Sequence, residues 1–106
     1  MELQLIQNEQ FKVRKTDYNG QTWFVGRDVA AILGYANNRK AILDHVEEDD
    51  RFVAELETPK GLRSTIVINE IGVYSLVLGS KLPEAKNFKR WICGEVLPTI
   101  RKTGAI

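Results

Sequence analysis

WFVGRDVAAILGYANNRKAILDHV, residues 23–46, is the stretch that decides the fold, because it predicts a strand followed by two short helices. Its first residues, Trp23–Val25, are aromatic and β-branched and favour a strand, which Gly26 ends. The next apolar side chains recur at i, i+3 and i+4, which places on one helix face Val29, Ile32 and Leu33. The sequence therefore predicts a strand that leads almost directly into a helix.

A second short helix is predicted soon after the first. Gly34 supplies the left-handed residue that stops the first helix, and Asn37 or Asn38 can cap the second. Ile42 and Val46 then form the apolar stripe of the second helix. Two short helices joined by a turn that contains Gly are typical of the helix-turn-helix, although this turn is a few residues longer than in the tight version of that motif.

Basic and amide side chains gather where the two helices begin. They are Arg27, Asn37, Asn38, Arg39 and Lys40. Arg and Asn are the side chains that pair with guanine and adenine edges, and Lys and Arg meet phosphates. These five residues are therefore candidates for contact with DNA. The same pattern also fits an ordinary helical hairpin with a solvated polar turn, because short motifs often match by chance.

The length of 106 residues predicts a single domain, residues 1–106, of globular composition. The net charge of +1 gives no general argument for nucleic acid, but charge is segregated along the chain. Residues 12–40 and residues 81–102 each carry six cations and two carboxylates, whereas residues 44–57 carry seven carboxylates and one arginine. Three ordinary solvated surfaces that differ in sign would give the same pattern.

A β-hairpin is predicted after the acidic run Glu47-Glu48-Asp49-Asp50, with strands Arg51–Thr58 and Leu62–Ile68. Pro and Gly in the turn between them supply the backbone angles that a tight turn needs. Lys60 and Arg63 lie at its tip and are further candidates for DNA contact. A basic hairpin beside a pair of helices is what a winged helix uses against the DNA backbone, and a plain polar turn is the alternative.

Two more helices are predicted in the C-terminal part of the chain. Asn69 can cap a helix over Glu70–Leu78, which is apolar enough to be buried. The last helix, residues 84–102, should kink or end near Leu97 because Pro98 lies inside it. Its cations are candidates for phosphate contact: Lys86, Lys89, Arg90, Arg101 and Lys102.

Together these elements predict an α+β fold, in which antiparallel hairpins pack with about four helices, including the helix-turn-helix-like pair. No pattern places His45, the single histidine, beside Cys93, the single cysteine, and no phosphate-binding Gly loop or paired-cysteine zinc spacing is present. We therefore expect no enzyme, no metal and no cofactor. No signal peptide or membrane-spanning run is visible, so the cytoplasm is the expected compartment.

Four stretches, in this order, closely resemble the Bro-N domain: FVGRDVAAILGY, AILDHVEEDDR, TIVINEIGVYSLVLGSKLPEAKNFKRW and EVLPTIRKTG. Bro-N is the N-terminal domain of phage and prophage antirepressors and of the BRO proteins of large insect DNA viruses. The resemblance runs from about Phe24 to Gly104. It implies an α+β DNA-binding domain in a phage regulatory circuit. Such domains usually precede a variable C-terminal domain, so this chain is expected to be either the N-terminal part of a longer antirepressor or a stand-alone version.

Two functions of different classes follow from the resemblance. The first is a DNA-binding regulatory domain of an antirepressor, with double-stranded DNA as its partner, acting in transcriptional control of the lytic and lysogenic states. The second is a protein-interaction module that binds and inactivates a phage repressor without contacting DNA, or that forms a homodimer through an exposed apolar patch. Neither function involves a membrane.

Overall fold

The computed structural model describes residues 1–103 as one antiparallel sheet of five strands with helices packed on one face. The strands are β1 (Gln4–Gln7), β2 (Lys12–Tyr18), β3 (Gln21–Val25), β4 (Arg51–Thr58) and β5 (Gly61–Ile68). The helices are α1 (Gly26–Ile32), α2 (Asn38–His45), α3 (Glu70–Gly79), α4 (Ala85–Trp91) and α5 (Leu97–Thr103). This architecture confirms the predicted α+β class.

The strand order is β1-β2-β3-β5-β4, with every neighbouring pair antiparallel. The turn between β2 and β3 is Asn19-Gly20, whose φ angles of 52° and 74° are both left-handed. Both angles are those of the favoured two-residue hairpin turn. β3 leads directly into α1, and β4 pairs with β5 from Arg51 to Thr58, so both of these local predictions are confirmed.

The sheet curls so that Met1, just before the edge strand β1, reaches the strand at the opposite edge, β4. The amino terminus of Met1 donates to the Glu55 carbonyl of β4 (2.7 Å), and the Glu57 amide of β4 donates to the Met1 carbonyl (3.1 Å). Met1 leads into β1 at one edge of the sheet, whereas β4 is at the other edge. The concave face encloses a small apolar cluster: Trp23, Val25, Ala54, Leu56 and Val67.

The larger core lies between the opposite face of the sheet and the helices. Phe88 of α4 is fully buried there, with its ring 5.4 Å from that of Phe11 and 6.0 Å from that of Trp91. Asn69 caps α3 as predicted, because its side chain accepts from the Gly72 amide (2.9 Å). None of the helices in residues 1–103 is both long and apolar enough to cross a membrane.

The last helix was predicted to kink or end near Leu97, and it does not end there. α4 continues through a wide π-helical turn, Ile92–Val96, into α5, and the Leu97 amide donates to the carbonyl of Ile92, five residues earlier. A proline inside a regular helix clashes with the carbonyl four residues before it. The wide turn alters the hydrogen-bond spacing just ahead of Pro98, so the helix accommodates the ring and continues to Thr103.

Candidate nucleic-acid interface

The two helices of the predicted pair pack closely because Gly26 has no side chain. A Cβ atom at Gly26 would lie 2.6 Å from Cδ1 of Ile42 in α2 and 3.2 Å from the carbonyl oxygen of Ile66 in β5. Residues 33–37 join the helices, and Gly34 adopts a φ of 82°. As a result the first turns of α1 and α2 lie side by side next to β5.

A groove runs between these two first turns and the β4–β5 hairpin. It consists of two adjoining pockets that share Arg27, Ser64 and Thr65. We call the two together the basic groove, and its lining residues are Arg14, Arg27, Arg39, Ile42, Thr58, Pro59, Lys60, Arg63, Ser64, Thr65 and Ile66. Four of the predicted DNA-binding residues, from three separate segments, are therefore brought to one surface. The helical pair contributes Arg27 and Arg39, and the hairpin contributes Lys60 and Arg63.

The four predicted cations of the basic groove are not neutralised by neighbouring acids. Within residues 1–103, no carboxylate forms an ion pair with Arg27, Arg39, Lys60 or Arg63. The Arg63 guanidinium donates only to the Leu62 carbonyl (2.9 Å). Glu55 borders the groove, where its carboxylate accepts from the Ser64 hydroxyl. Exposed cations without partners are the groups that a phosphate backbone attracts most strongly.

Arg14 also lines the basic groove, and the sequence reasoning did not identify it as a site residue. Its Nε and Nη2 atoms each lie 2.8 Å from an oxygen of Asp28, and its backbone amide lies 3.0 Å from the same carboxylate. The hydrogen bond to Asp28 raises the pKa of Arg14 above its ordinary value. No local spacing reveals this pair, because it joins β2 to the first turn of α1.

The remaining candidates of the helical pair do not line the groove. The side chain of Asn37 accepts from the Lys40 amide (3.0 Å), so it caps α2. Asn38 is half-buried. The Lys40 ammonium lies 2.6 Å from the Asp44 carboxylate, one turn along the same helix, and this bond raises the pKa of Lys40. These three residues therefore shape or neutralise the start of α2.

The other end of α2 is acidic. Exposed carboxylates follow one another there, from Asp44 to the short turn Glu48–Asp50: Asp44, Glu47, Glu48 and Asp49. A DNA groove would repel this end of the helix. The helix therefore cannot lie lengthwise in a DNA groove without meeting repulsion, and only its first turn offers cations.

The cations of the C-terminal helix lie apart from the basic groove. Lys86, Lys89 and Arg90 are exposed on α4, whose buried side packs against Phe11. Lys102 is exposed on α5, whereas Arg101 pairs with Glu70 of α3 in a second groove beside the β2–β3 turn. Of residues 1–103, none from α3, α4 or α5 lines the basic groove.

The histidine and the cysteine occupy different surroundings. His45 is exposed, with its ring 5.4 Å from that of Tyr35. Cys93 is half-buried beside Tyr74, and burial raises the pKa of its thiol. A thiol with a raised pKa is a weak nucleophile at neutral pH. In the described part of the chain, no three His, Cys, Asp or Glu side chains are grouped so that they could hold a metal ion.

Comparison with known proteins gives one family and several relatives. The family model Bro-N, described as the BRO family N-terminal domain, matches residues 10–98. An uncharacterized protein of Haemophilus influenzae is 43% identical over 83% of this chain and 44% of its own length. A putative Bro-N domain-containing protein, 289L, of invertebrate iridescent virus 6 is 30% identical over 92% of this chain and 28% of its own length.

An uncharacterized Bro-N domain-containing protein, L2, of Acanthamoeba polyphaga mimivirus is 36% identical over 89% of this chain and 43% of its own length. This chain thus spans less than half of the length of each of these three relatives. No solved structure matches it.

Proposed function

Because the chain belongs to Bro-N, the N-terminal domain of the BRO family, we propose that it is a DNA-binding regulatory domain that holds duplex DNA in the basic groove. The proposal extends to an antirepressor that acts in transcriptional control of a phage or prophage, in the cytoplasm of the host cell. It involves no catalysis and no cofactor. We also propose, as part of the same function, that this chain acts within a longer antirepressor.

The observation that carries the proposal is the set of four unpaired cations at the basic groove. Arg27 and Arg39 stand on the first turns of two helices, and Lys60 and Arg63 stand on a hairpin across from them. Each cation that meets a B-DNA phosphate contributes about −0.9 to the slope of log K against log salt. Four contacts therefore predict a slope of about −3.6.

The geometry favours an approach of DNA to the helix starts rather than along α2. Arg39 is exposed at the first turn of α2, the end that lacks carboxylates, and is available to a phosphate or a base edge. Lys60 and Arg63 then serve as the wing, gripping the backbone on the other side of the groove. Thr65, which also lines the groove, supplies a hydroxyl group that can donate to phosphate.

The test is fluorescence anisotropy of labelled duplexes titrated with the 106-residue chain at several salt concentrations. We expect binding that weakens with salt, with a slope near −3.6 or slightly steeper. If the basic residues are instead ordinary surface, the chain should either not bind the duplex at low salt or bind it with an affinity that does not change with salt. Either of those results would overturn the proposal.

One observation favours the second candidate, a protein-interaction module. α3 exposes two large apolar side chains seven residues apart on one face, Ile71 (58% exposed) and Leu78 (83% exposed). Changing both to Ser should leave DNA affinity unchanged if DNA is the partner. It should abolish self-association in sedimentation velocity, or binding of a purified phage repressor, if α3 is an interaction surface. Loss of DNA binding alone would argue against this candidate.

A further inference from the structure

Within residues 1–103, Asp28 is the one acid that forms an ion pair with a cation lining the basic groove. Asp28 uses both carboxylate oxygens to accept from the guanidinium of Arg14, at 2.8 Å each. Such two-pronged pairs are stronger and more sharply oriented than single contacts. Asp28 also accepts from the Arg14 backbone amide at 3.0 Å, so the carboxylate bonds both the backbone and the guanidinium of Arg14.

The pairing leaves most of the guanidinium available to another partner. An arginine side chain has five N–H donors, and Asp28 takes one from Nε and one from Nη2. No other acceptor among residues 1–103 takes those that remain. The side chain of Arg14 is 31% exposed and lines the groove beside Lys60 and Arg63, so its free donors can reach a ligand in that groove.

Asp28 is well placed to hold the guanidinium still. Its own side chain is only 18% exposed and belongs to the first turn of α1, where a carboxylate is favoured by the helix dipole. A long cationic side chain normally loses rotamer freedom when it binds, and this loss weakens affinity. Arg14 has already lost that freedom in the absence of a ligand.

We propose that Asp28 is a positioning residue that presents Arg14 as a fixed phosphate anchor in the basic groove, so that this acid strengthens rather than weakens the binding of duplex DNA. The proposal rests on the DNA-binding function proposed above. It adds Arg14 as a fifth phosphate contact, which would make the salt slope about −4.5.

The proposal can be tested by the sign of one substitution. Asp28→Asn keeps the size of the side chain and removes one negative charge from the basic groove. If Asp28 contributed only its charge, the variant would bind DNA more tightly. Because we assign Asp28 a positioning role, we expect binding to weaken by about 3- to 10-fold, as is typical when one long side chain must be ordered on binding.

Asp44→Asn is the matched control. It also removes a carboxylate that pairs with a cation, Lys40, but both side chains of that pair are exposed and do not line the groove. We expect this control to bind as well as the parent or slightly better. If Asp28→Asn likewise binds as tightly as the parent, or more tightly, the positioning role is overturned.

A second substitution gives a readout that a merely structural role would not move. In an Arg14→Ala background Asp28 has no cation to position, so adding Asp28→Asn should strengthen binding instead of weakening it. Arg14→Lys, which keeps the charge but not the fork, should bind almost as weakly as Arg14→Ala. Parental affinity of Arg14→Lys would overturn the proposal even if the Asp28 variants were too unstable to assay.

Two controls separate failure of this proposal from failure of the function on which it rests. Circular dichroism on each variant shows that the fold is kept at the assay temperature. Absence of DNA binding by the parent chain would overturn both proposals. Salt-dependent binding by the parent, together with tighter binding by Asp28→Asn, would overturn only the role of Asp28.

Discussion

Removing Arg27 and Arg39 together should weaken DNA binding, whereas removing Lys86 and Lys89 should not. Both double substitutions to Ala remove two exposed cations, so their effect on net charge is the same. They differ in place, because only the first pair lines the basic groove. The comparison therefore isolates the location of the charges from their number.

The expected magnitude follows from the number of phosphate contacts. Losing two contacts should make the salt slope less steep by about 1.8. Raising the salt from 50 to 200 mM should lower the affinity of the parent and that of Arg27→Ala/Arg39→Ala. The fold-loss of the parent should be about 12 times that of the variant. At 50 mM salt the loss should be roughly 100-fold, or about tenfold for each charge-assisted contact. Lys86→Ala/Lys89→Ala should stay within about twofold of the parent at both salt concentrations.

The assay is anisotropy of one labelled duplex, measured for the parent and both variants in the same salt series. Urea denaturation of each variant should show that the free energy of unfolding is unchanged, because all four side chains are exposed. The reasoning is refuted if the α4 pair costs as much affinity as the groove pair. It is also refuted if Arg27→Ala/Arg39→Ala retains the slope of the parent.

Three other outcomes are expected. The Glu55 carboxylate borders the groove at Ser64. Glu55→Gln should therefore tighten DNA binding by about two- to fivefold at low salt, the size typical of one exposed charge, and weaker binding would contradict this. Phe88→Ala should lower the free energy of unfolding in urea by about 3–5 kcal/mol, since Phe88 is fully buried. Cys93 should react slowly with a disulfide reagent at pH 8 until the chain is unfolded. Because burial raises the pKa of the Cys93 thiol above the ordinary 9.0, the free energy of unfolding should not depend on this group below that pH and should fall as the pH rises above it. Rapid labelling of the native chain at pH 7 would contradict the raised pKa.

The sequence was most informative where structure depends on near neighbours. The Asn69 cap and the passage from β3 into α1 each follow from residues a few positions apart, and both are confirmed. Pro98 shows the limit of local rules. A wide turn ahead of the proline compensates for it, and no rule about proline alone predicts where such a turn forms.

The candidate site was predicted only in part, for a similar reason. The helix starts and the hairpin tip could be identified separately, but their meeting in one groove depends on the pairing of β3 with β5. Arg14 was missed because its partner, Asp28, is 14 residues away and on another element. The pairing of Lys40 could have been predicted from the sequence, since Asp44 follows it at i+4, a spacing that forms ion pairs on a helix.

The most direct test of the central claim, that the basic groove holds DNA, is an amide NMR titration of the chain with an unlabelled duplex. The account predicts that the largest shift changes fall in three segments that meet at the groove, residues 26–28, 38–40 and 58–65. Changes centred on residues 85–91 of α4, or on the exposed face of α3, would contradict it.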